Sequence, residues 1–200
     1  RDQMLHFRQF KVLYWTRAKL LRFEDRTDWA VCEGEHYGYR HHPGACVHRR
    51  AVLFVKDEVW VIVDRILGQG EHSIFLQWLC GDFACQHDKD AGELCLETPA
   101  GPVTMAIVDG SGRPVQTELV VGREHPPRGW LSRYYGEKTP VPSLSATANE
   151  KVPFSLVSII SNSRPKIEVQ NCYWTLLHNN LSIGFALVDG RFERINLQRS

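Results

Sequence analysis

Ala51-Val52-Leu53-Phe54-Val55, Lys56-Asp57-Glu58, Val59-Trp60-Val61-Ile62-Val63-Asp64 is the stretch that decides the fold. Two short runs, rich in β-branched residues and apolar at odd and even positions alike, flank three polar residues. This is the pattern of a β-hairpin whose strands are covered on both faces. If Lys56-Asp57-Glu58 closes the turn, Val55 faces Val59, and counting back along both strands sets Arg50 opposite Asp64. A carboxylate ending an apolar run is costly when buried alone, and a cross-strand arginine compensates it. Asp64 then has two readings. It is half of a structural Arg50–Asp64 ion pair that holds the register, or it is a catalytic or metal-binding carboxylate working with His48 or His72. A lone Asp–Arg match favours the ion pair.

Working outward from this hairpin, strand-like segments recur along the whole chain. They cover 7–15, 18–23, 73–79, 93–97, 103–108, 115–121, 154–160, 166–169, 173–177, 183–188 and 192–196. Turn signals separate them, among them Asp109-Gly110-Ser111-Gly112, His178-Asn179-Asn180 and Asp189-Gly190, the last of a type favoured in two-residue hairpin loops. No segment holds an i, i+3, i+4, i+7 apolar stripe for three turns. The expectation is an all-β chain, a large antiparallel β-sandwich of two stacked layers. No repeat, low-complexity tract or linker divides it, so one domain is expected over residues 1–200.

Composition narrows the function. Lys+Arg total 24 against Asp+Glu 23, a net charge of +1 over 200 residues. Such a chain has no basic field to hold a phosphate backbone, so nucleic acid is not an expected partner. No apolar run approaches the roughly 20 residues of a membrane-spanning helix, so neither is a membrane. The hydrophobic share of 43% is that of a packed domain. The six cysteines, Cys32, Cys46, Cys80, Cys85, Cys95 and Cys172, include no C-x-x-C pair. Most have apolar neighbours and read as buried reduced thiols. The chain opens Arg1-Asp2-Gln3 without an initiator Met, and is expected to be a piece of a longer protein. Missing targeting signals then say nothing about compartment.

Two loops interrupt the strands. Residues 33–45, Glu-Gly-Glu-His-Tyr-Gly-Tyr-Arg-His-His-Pro-Gly-Ala, are dense in His, Tyr and Arg. Residues 124–142 set Trp130, Arg133, Tyr134 and Tyr135 between prolines and glycines. Long polar loops with aromatics on a β-scaffold are where binding chemistry concentrates. In the first loop, His36, His41 and His42 are a conceivable metal trio, but adjacent His41 and His42 are expected to diverge and no metal is assigned. A near-neutral His beside a Tyr makes a proton-transfer pair, which makes His36 and Tyr39 catalytic candidates. Arg40 and His41, with Trp130, Arg133 and Tyr135 in the second loop, are candidate substrate-binding residues: rings stack on sugars while arginine forks onto carboxylate or sulfate. The plainer reading is a solvated loop with its aromatics against a sheet edge.

His36-Tyr-Gly-Tyr39, Val47-His48-Arg49-Arg50 before Val-Leu-Phe, Trp60-Val-Ile-Val-Asp64, and Gly68-Gln-Gly-Glu-His72 together resemble the C-terminal β-sandwich of heparinase II/III-like polysaccharide lyases. Gly129-Trp-Leu-Ser132-Arg-Tyr-Tyr135-Gly136 and the strand entry at Val152-Pro153 are similar to a second segment of that family. The likeness is clearest over 30–80 and weaker over 125–160.

The resemblance implies a helical toroid N-terminal to a super-sandwich, with the substrate cleft between them. It implies cleavage of uronic-acid polysaccharides by β-elimination: a neutralised carboxylate acidifies the C5 proton, a Tyr or His removes it, and an acid protonates the leaving oxygen. In the family an Asn and a Tyr come from the toroid, and a His-x-His segment, an Asp and a His-Asn-Thr-type segment supply a catalytic His and a metal site. Those segments are not found here, and His178-Asn179 lies too far along the chain to stand for the last. The chain is expected to begin just downstream, with Asp2-Gln3 trailing that region. No cofactor is therefore expected within these residues, while a divalent metal such as zinc is possible in the parent. His48 joins the catalytic candidates, with Arg49 and Asp64 as support in the central sheet. Expected partners are an anionic polysaccharide and the missing helical domain, for which Trp130, Tyr134 and Tyr135 are also a possible hydrophobic seat. The isolated chain is expected to be inactive, and its home periplasmic or secreted. The rivals are a non-catalytic carbohydrate-binding sandwich and a purely structural one.

Overall fold

The computed structural model describes residues 5–8 and 11–199, with side chains described from residue 15 onward. Asp2 and Gln3 lie outside the described residues. Strands β1 (Leu5–Arg8) and β2 (Lys11–Tyr14) pair with each other, so the stretch expected as strand over 7–15 doubles back. β3 (Ala18–Asp25), β4 (Trp29–His36), β5 (Val47–Val55) and β6 (Val59–Leu67) then form an antiparallel meander. β7 (Glu71–Leu79) leaves that sheet, and β8 (Cys85–Asp88), β9 (Glu93–Thr98) and β10 (Gly101–Asp109) rejoin it at the far side. β11 (Thr117–Val121) leads into an arm with two short paired strands, β12 (Trp130–Leu131) and β13 (Thr139–Pro140). After the arm, β14 (Pro142–Lys151) pairs with β11 and β7. β15 (Phe154–Ser161) inserts between β6 and β10. A last meander holds β16 (Lys166–Gln170), β17 (Tyr173–His178), β18 (Leu181–Val188) and β19 (Arg191–Arg199).

The central sheet therefore runs β3-β4-β5-β6-β15-β10-β9-β8, and each face carries a hydrophobic core. On one face Ala51, Leu53, Val61, Val63 and Val157 pack against Trp174, Leu176, Ile183, Phe185 and Phe192 of the four-stranded sheet. On the other, Leu94, Met105, Ile107 and Leu156 pack against Leu76, Leu144 and Ala146 of the β11-β14-β7 sheet. The expected two layers are three. The cause lies in β10 and β15, whose apolar residues fall at both parities: Val108, Val157 and Ile159 enter one core while Met105, Ile107 and Leu156 enter the other.

Further departures follow from local chemistry. The loop expected from Glu33 is strand up to His36, because Glu33, Gly34, Glu35 and His36 pair in register with Ala51, Arg50, Arg49 and His48. Glu33 is 1% exposed, and its carboxylate accepts the Phe192 backbone N–H at 3.0 Å. β14 falls where the sequence shows Pro, Ser, Ala, Thr and one Leu followed by Asn149-Glu150-Lys151, which leave a faint apolar pattern. The cysteines are less buried than expected: Cys46 is buried, Cys32 and Cys172 are exposed, and the rest are intermediate.

Cover on the second face is incomplete. The core built with β7, β11 and β14 draws on β15, β10 and β9 but on no residue of β3, β4 or β5. Leu20, Phe23, Cys32 and Trp60 are exposed there.

Candidate functional site: a histidine–carboxylate–arginine cluster on the open sheet face

Antiparallel register sorts the open face into rows across β3, β4, β5 and β6. They read Ala18–His36–His48–Ile66, Leu20–Gly34–Arg50–Asp64, Phe23–Cys32–Val52–Ile62 and Asp25–Ala30–Phe54–Trp60. The first two rows hold the polar groups and the last two are mostly apolar, with Phe54 and Trp60 stacked at 3.9 Å. Gly34, without a side chain, is the cross-strand neighbour of Arg50. A Cβ there would sit 3.2 Å from the Lys19 carbonyl oxygen, tighter than most such contacts.

Asp64 lies at the centre of the polar rows and is 6% exposed. Arg50 lies opposite it, as the hairpin count requires, and forks onto the carboxylate: Nε donates to Oδ1 at 2.7 Å and Nη2 to Oδ2 at 3.0 Å. His48 reaches the same Oδ1 from Nε2 at 2.6 Å. Burial pushes Asp64 upward, but the hydrogen bonds from His48 and Arg50 outweigh it and hold the carboxyl below its ordinary range. An ionised carboxylate has only acceptors, so His48 donates its Nε2–H, and Nδ1 is left as the nitrogen that can accept or release a proton. The structural Arg50–Asp64 pair is thus present, and the imidazole beside it is His48 rather than His72.

Trp78 completes the cluster, and nothing in the sequence singled it out. Its Nε1 donates to Ser158 Oγ at 3.0 Å, and the Arg50 guanidinium lies 5.4 Å from its ring centroid. β7 carries it in from another sheet, so only tertiary packing joins it to Arg50.

His36 is the cross-strand neighbour of His48. Its Nδ1 accepts the Gly38 N–H at 3.4 Å, and its Nε2 meets Thr16 Oγ at 3.1 Å. Burial, with a smaller contribution from His48, holds it below the ordinary imidazole value. Tyr39 packs edge-on to His36 at 6.0 Å. Arg40 lies over the Tyr37 ring at 4.3 Å, and Tyr37 donates its hydroxyl to Glu35 at 2.7 Å. His41 and His42 do not diverge: their ring centroids lie 4.3 Å apart with the planes tilted by 43°, because the 37–46 turns fold the loop back on itself. Arg49 points to the opposite face, where it binds Glu35 at 2.6 Å and the Asp189 carbonyl at 2.7 Å. His72 sits with Cys46 Sγ at 3.4 Å and the Gln69 carbonyl at 2.9 Å. Burial pushes the Cys46 thiol up, away from thiolate chemistry.

Trp130, Arg133 and Tyr135 are not brought to this cluster. Their arm is anchored on the outer face of the β11-β14-β7 sheet, where Arg128 donates to Ser145 Oγ at 2.8 Å and to Glu118 at 2.7 Å. Trp78 is on the inner face of that sheet.

The divalent metal that the resemblance implies for the parent finds no ligand set among the described residues. No three His, Cys, Asp or Glu side chains converge there. Both Asp64 oxygens are already engaged by Arg50 and His48.

Fold and cluster together define a large antiparallel β-super-sandwich with a histidine–carboxylate–arginine cluster on an open sheet face. The Heparinase II/III-like, C-terminal family model matches residues 2–175, and the chain belongs to that family. Among solved structures, the chain is similar to heparan sulfate lyase HepC from Pedobacter heparinus, with TM-score 0.65 and 15% identity over 92% of this chain and 28% of that one. It is also similar to the Heparinase III-BT4657 gene product, with TM-score 0.62, 15% identity and the same coverages, 92% and 28%. The chain thus spans little more than a quarter of these proteins. Among curated proteins no sequence match is found.

Proposed function

We propose that this chain forms the sheet side of the active site in a polysaccharide lyase that cleaves an anionic, uronic-acid-containing glycan by β-elimination. One observation carries the reading: His48, its Nε2 fixed on Asp64, which Arg50 holds in turn, has Nδ1 left over on an open sheet face. Elimination moves a proton from C5 of the uronate and returns one to the leaving glycosidic oxygen, and an imidazole with one nitrogen anchored suits either transfer. Asp64 and Arg50 are positioning residues that set the tautomer and aim of His48. The Asn and Tyr that the family resemblance implies come from the helical domain, outside these residues, so the isolated chain is inactive. A polymer substrate is met outside the cytoplasm, which supports a secreted or periplasmic home. Among the described residues no helix is long and apolar enough to cross a membrane.

The test is the His48→Ala variant in the full-length protein, incubated with uronate polysaccharides while the ultraviolet absorbance of the unsaturated product is followed. The expected loss in kcat is about 100-fold or more. Undiminished turnover by His48→Ala overturns the assignment. Glycan binding without product from any uronate polymer favours the rival, a non-catalytic binding sandwich.

A further inference from the structure

The arm between β11 and β14 is unlike the rest of the molecule. Residues 122–141 hold four Lys/Arg and two Asp/Glu, whereas the whole chain holds 24 and 23. Its base is rigid. Arg123 and Arg128 exchange two backbone hydrogen bonds at 2.9 Å, and Gly122 N and Val141 N both donate to the Gly129 carbonyl, at 3.0 and 2.8 Å. Arg128 is buried between Ser145, Glu118 and the Phe75 ring. Trp130 donates its indole N–H to the Arg123 carbonyl at 2.9 Å, and Lys138 lies 3.9 Å over its ring while binding both Glu124 oxygens at 2.8 and 2.9 Å. With the Arg123 guanidinium on Glu118 at 3.1 Å, four of the arm's charges, those of Arg123, Glu124, Arg128 and Lys138, are spent on holding its shape. The tip differs: Ser132, Arg133, Tyr134 and Tyr135 line a shallow groove, with Tyr134 75% and Tyr135 98% exposed. Arg133 makes no hydrogen bond or ion pair among the described residues.

Two tyrosines held out in water do nothing for the core, and a free guanidinium between Ser132 and Tyr134 adds a cation at the same spot. Rings offer flat apolar faces for the C–H side of a sugar, and a guanidinium forks onto sulfate or carboxylate. Because the arm's base is already ordered, ligand binding need order only the tip side chains. We propose that the arm tip, Arg133 with Tyr134 and Tyr135, is an accessory binding site for an anionic glycan, carried on an arm whose base is fastened to the outer face of the β11-β14-β7 sheet. This proposal rests on the glycan reading above and adds a second point of attachment. A polymer gripped at two points gains effective concentration at each, an advantage a short oligosaccharide cannot share.

The experiment uses the chain with Arg133→Ala, Tyr135→Ala and the double variant. The probe is a heparan sulfate hexasaccharide, with its desulfated counterpart, titrated by calorimetry. All substitutions lie on exposed residues, and unchanged circular dichroism and melting temperature confirm intact folding. Each single change is expected to weaken binding about 5- to 10-fold, as loss of one charge-assisted contact or one stacking ring does, and the double variant by more. In the full-length protein, the double variant is expected to raise KM on polymer with kcat unchanged. Binding by the folded double variant equal to the parent overturns the arm site. The lyase reading fails separately, by His48→Ala turning over normally, so the two outcomes are distinguishable.

Discussion

Arg50→Ala tests whether the cluster is an energetic unit. The arginine makes two charge-assisted hydrogen bonds to Asp64, at 2.7 and 3.0 Å. Bonds of this kind contribute about 1.5–3 kcal/mol each when desolvated. The Arg50 side chain is 43% exposed, so solvent screening lowers that sum. Asp64, in contrast, cannot rehydrate and would keep only His48. The expected loss at pH 7 is about 2–3 kcal/mol, near the lower end for breaking a buried pair. Asp64→Asn retains acceptor capacity and should cost about 1–2 kcal/mol. In the double variant the effects should fall short of additivity by about 1–2 kcal/mol. Urea denaturation read by midpoint shift, at constant slope, measures all three. The pH dependence has a definite sign. Asp64 is lowered in the folded chain, so its contribution is present above the unfolded carboxylate value of about 3.9 and disappears as pH falls through the lower folded value. The Arg50→Ala penalty should therefore shrink on acidification. Additivity within about 0.5 kcal/mol at pH 7 would refute the cluster as a unit.

Three further outcomes are expected. His36 should titrate in NMR spectra below the ordinary imidazole value, and its part of the stability should be lost as pH falls through the unfolded value of about 6.5; titration at or above that value contradicts its burial. Glu33→Leu should lower stability by about 2–3 kcal/mol, because the buried Phe192 N–H loses its acceptor, while Glu33→Gln should cost less than about 1 kcal/mol; equal melting temperatures for the two would remove that bond's role. Gly129→Ala should destabilise by about 3 kcal/mol or more, since φ is +77° and a Cβ would lie 2.8 Å from the Val120 and Val141 carbonyl oxygens; an unshifted melting curve would show that the arm base can give.

Legibility in the sequence tracked how local each cause was. The β5–β6 hairpin, its register and the Arg50–Asp64 apposition could be read from adjacent residues, because β-branched runs and a short polar turn act at short range. The same runs are apolar at both parities, yet the third layer packs on β9, β10 and β15 instead, a placement that only the strand order decides. β14 could not be read, because its strand character comes from partners on both sides rather than from its own Ser, Ala and Thr. The end of β4 reads as loop because Glu33 and Glu35 look solvated until Arg22, Arg49 and Phe192 are brought against them. Trp78 was invisible for a similar reason: it meets Arg50 only after β7 has crossed to another sheet. Trp130, Arg133 and Tyr135 could be nominated by composition, but their separation from His48 depends on which side of β14 the arm is fastened.

In β6, side-chain alternation makes neighbouring residues serve different interiors. Val61 and Val63 meet Trp174 and Phe185 below, while Ile62 and Asp64 face the Trp78 side above. Consecutive substitutions along this one strand should thus loosen opposite halves of the molecule in turn, and a probe in the β16–β19 meander would register every second one. The two halves share a single spine, and its melting should end both together.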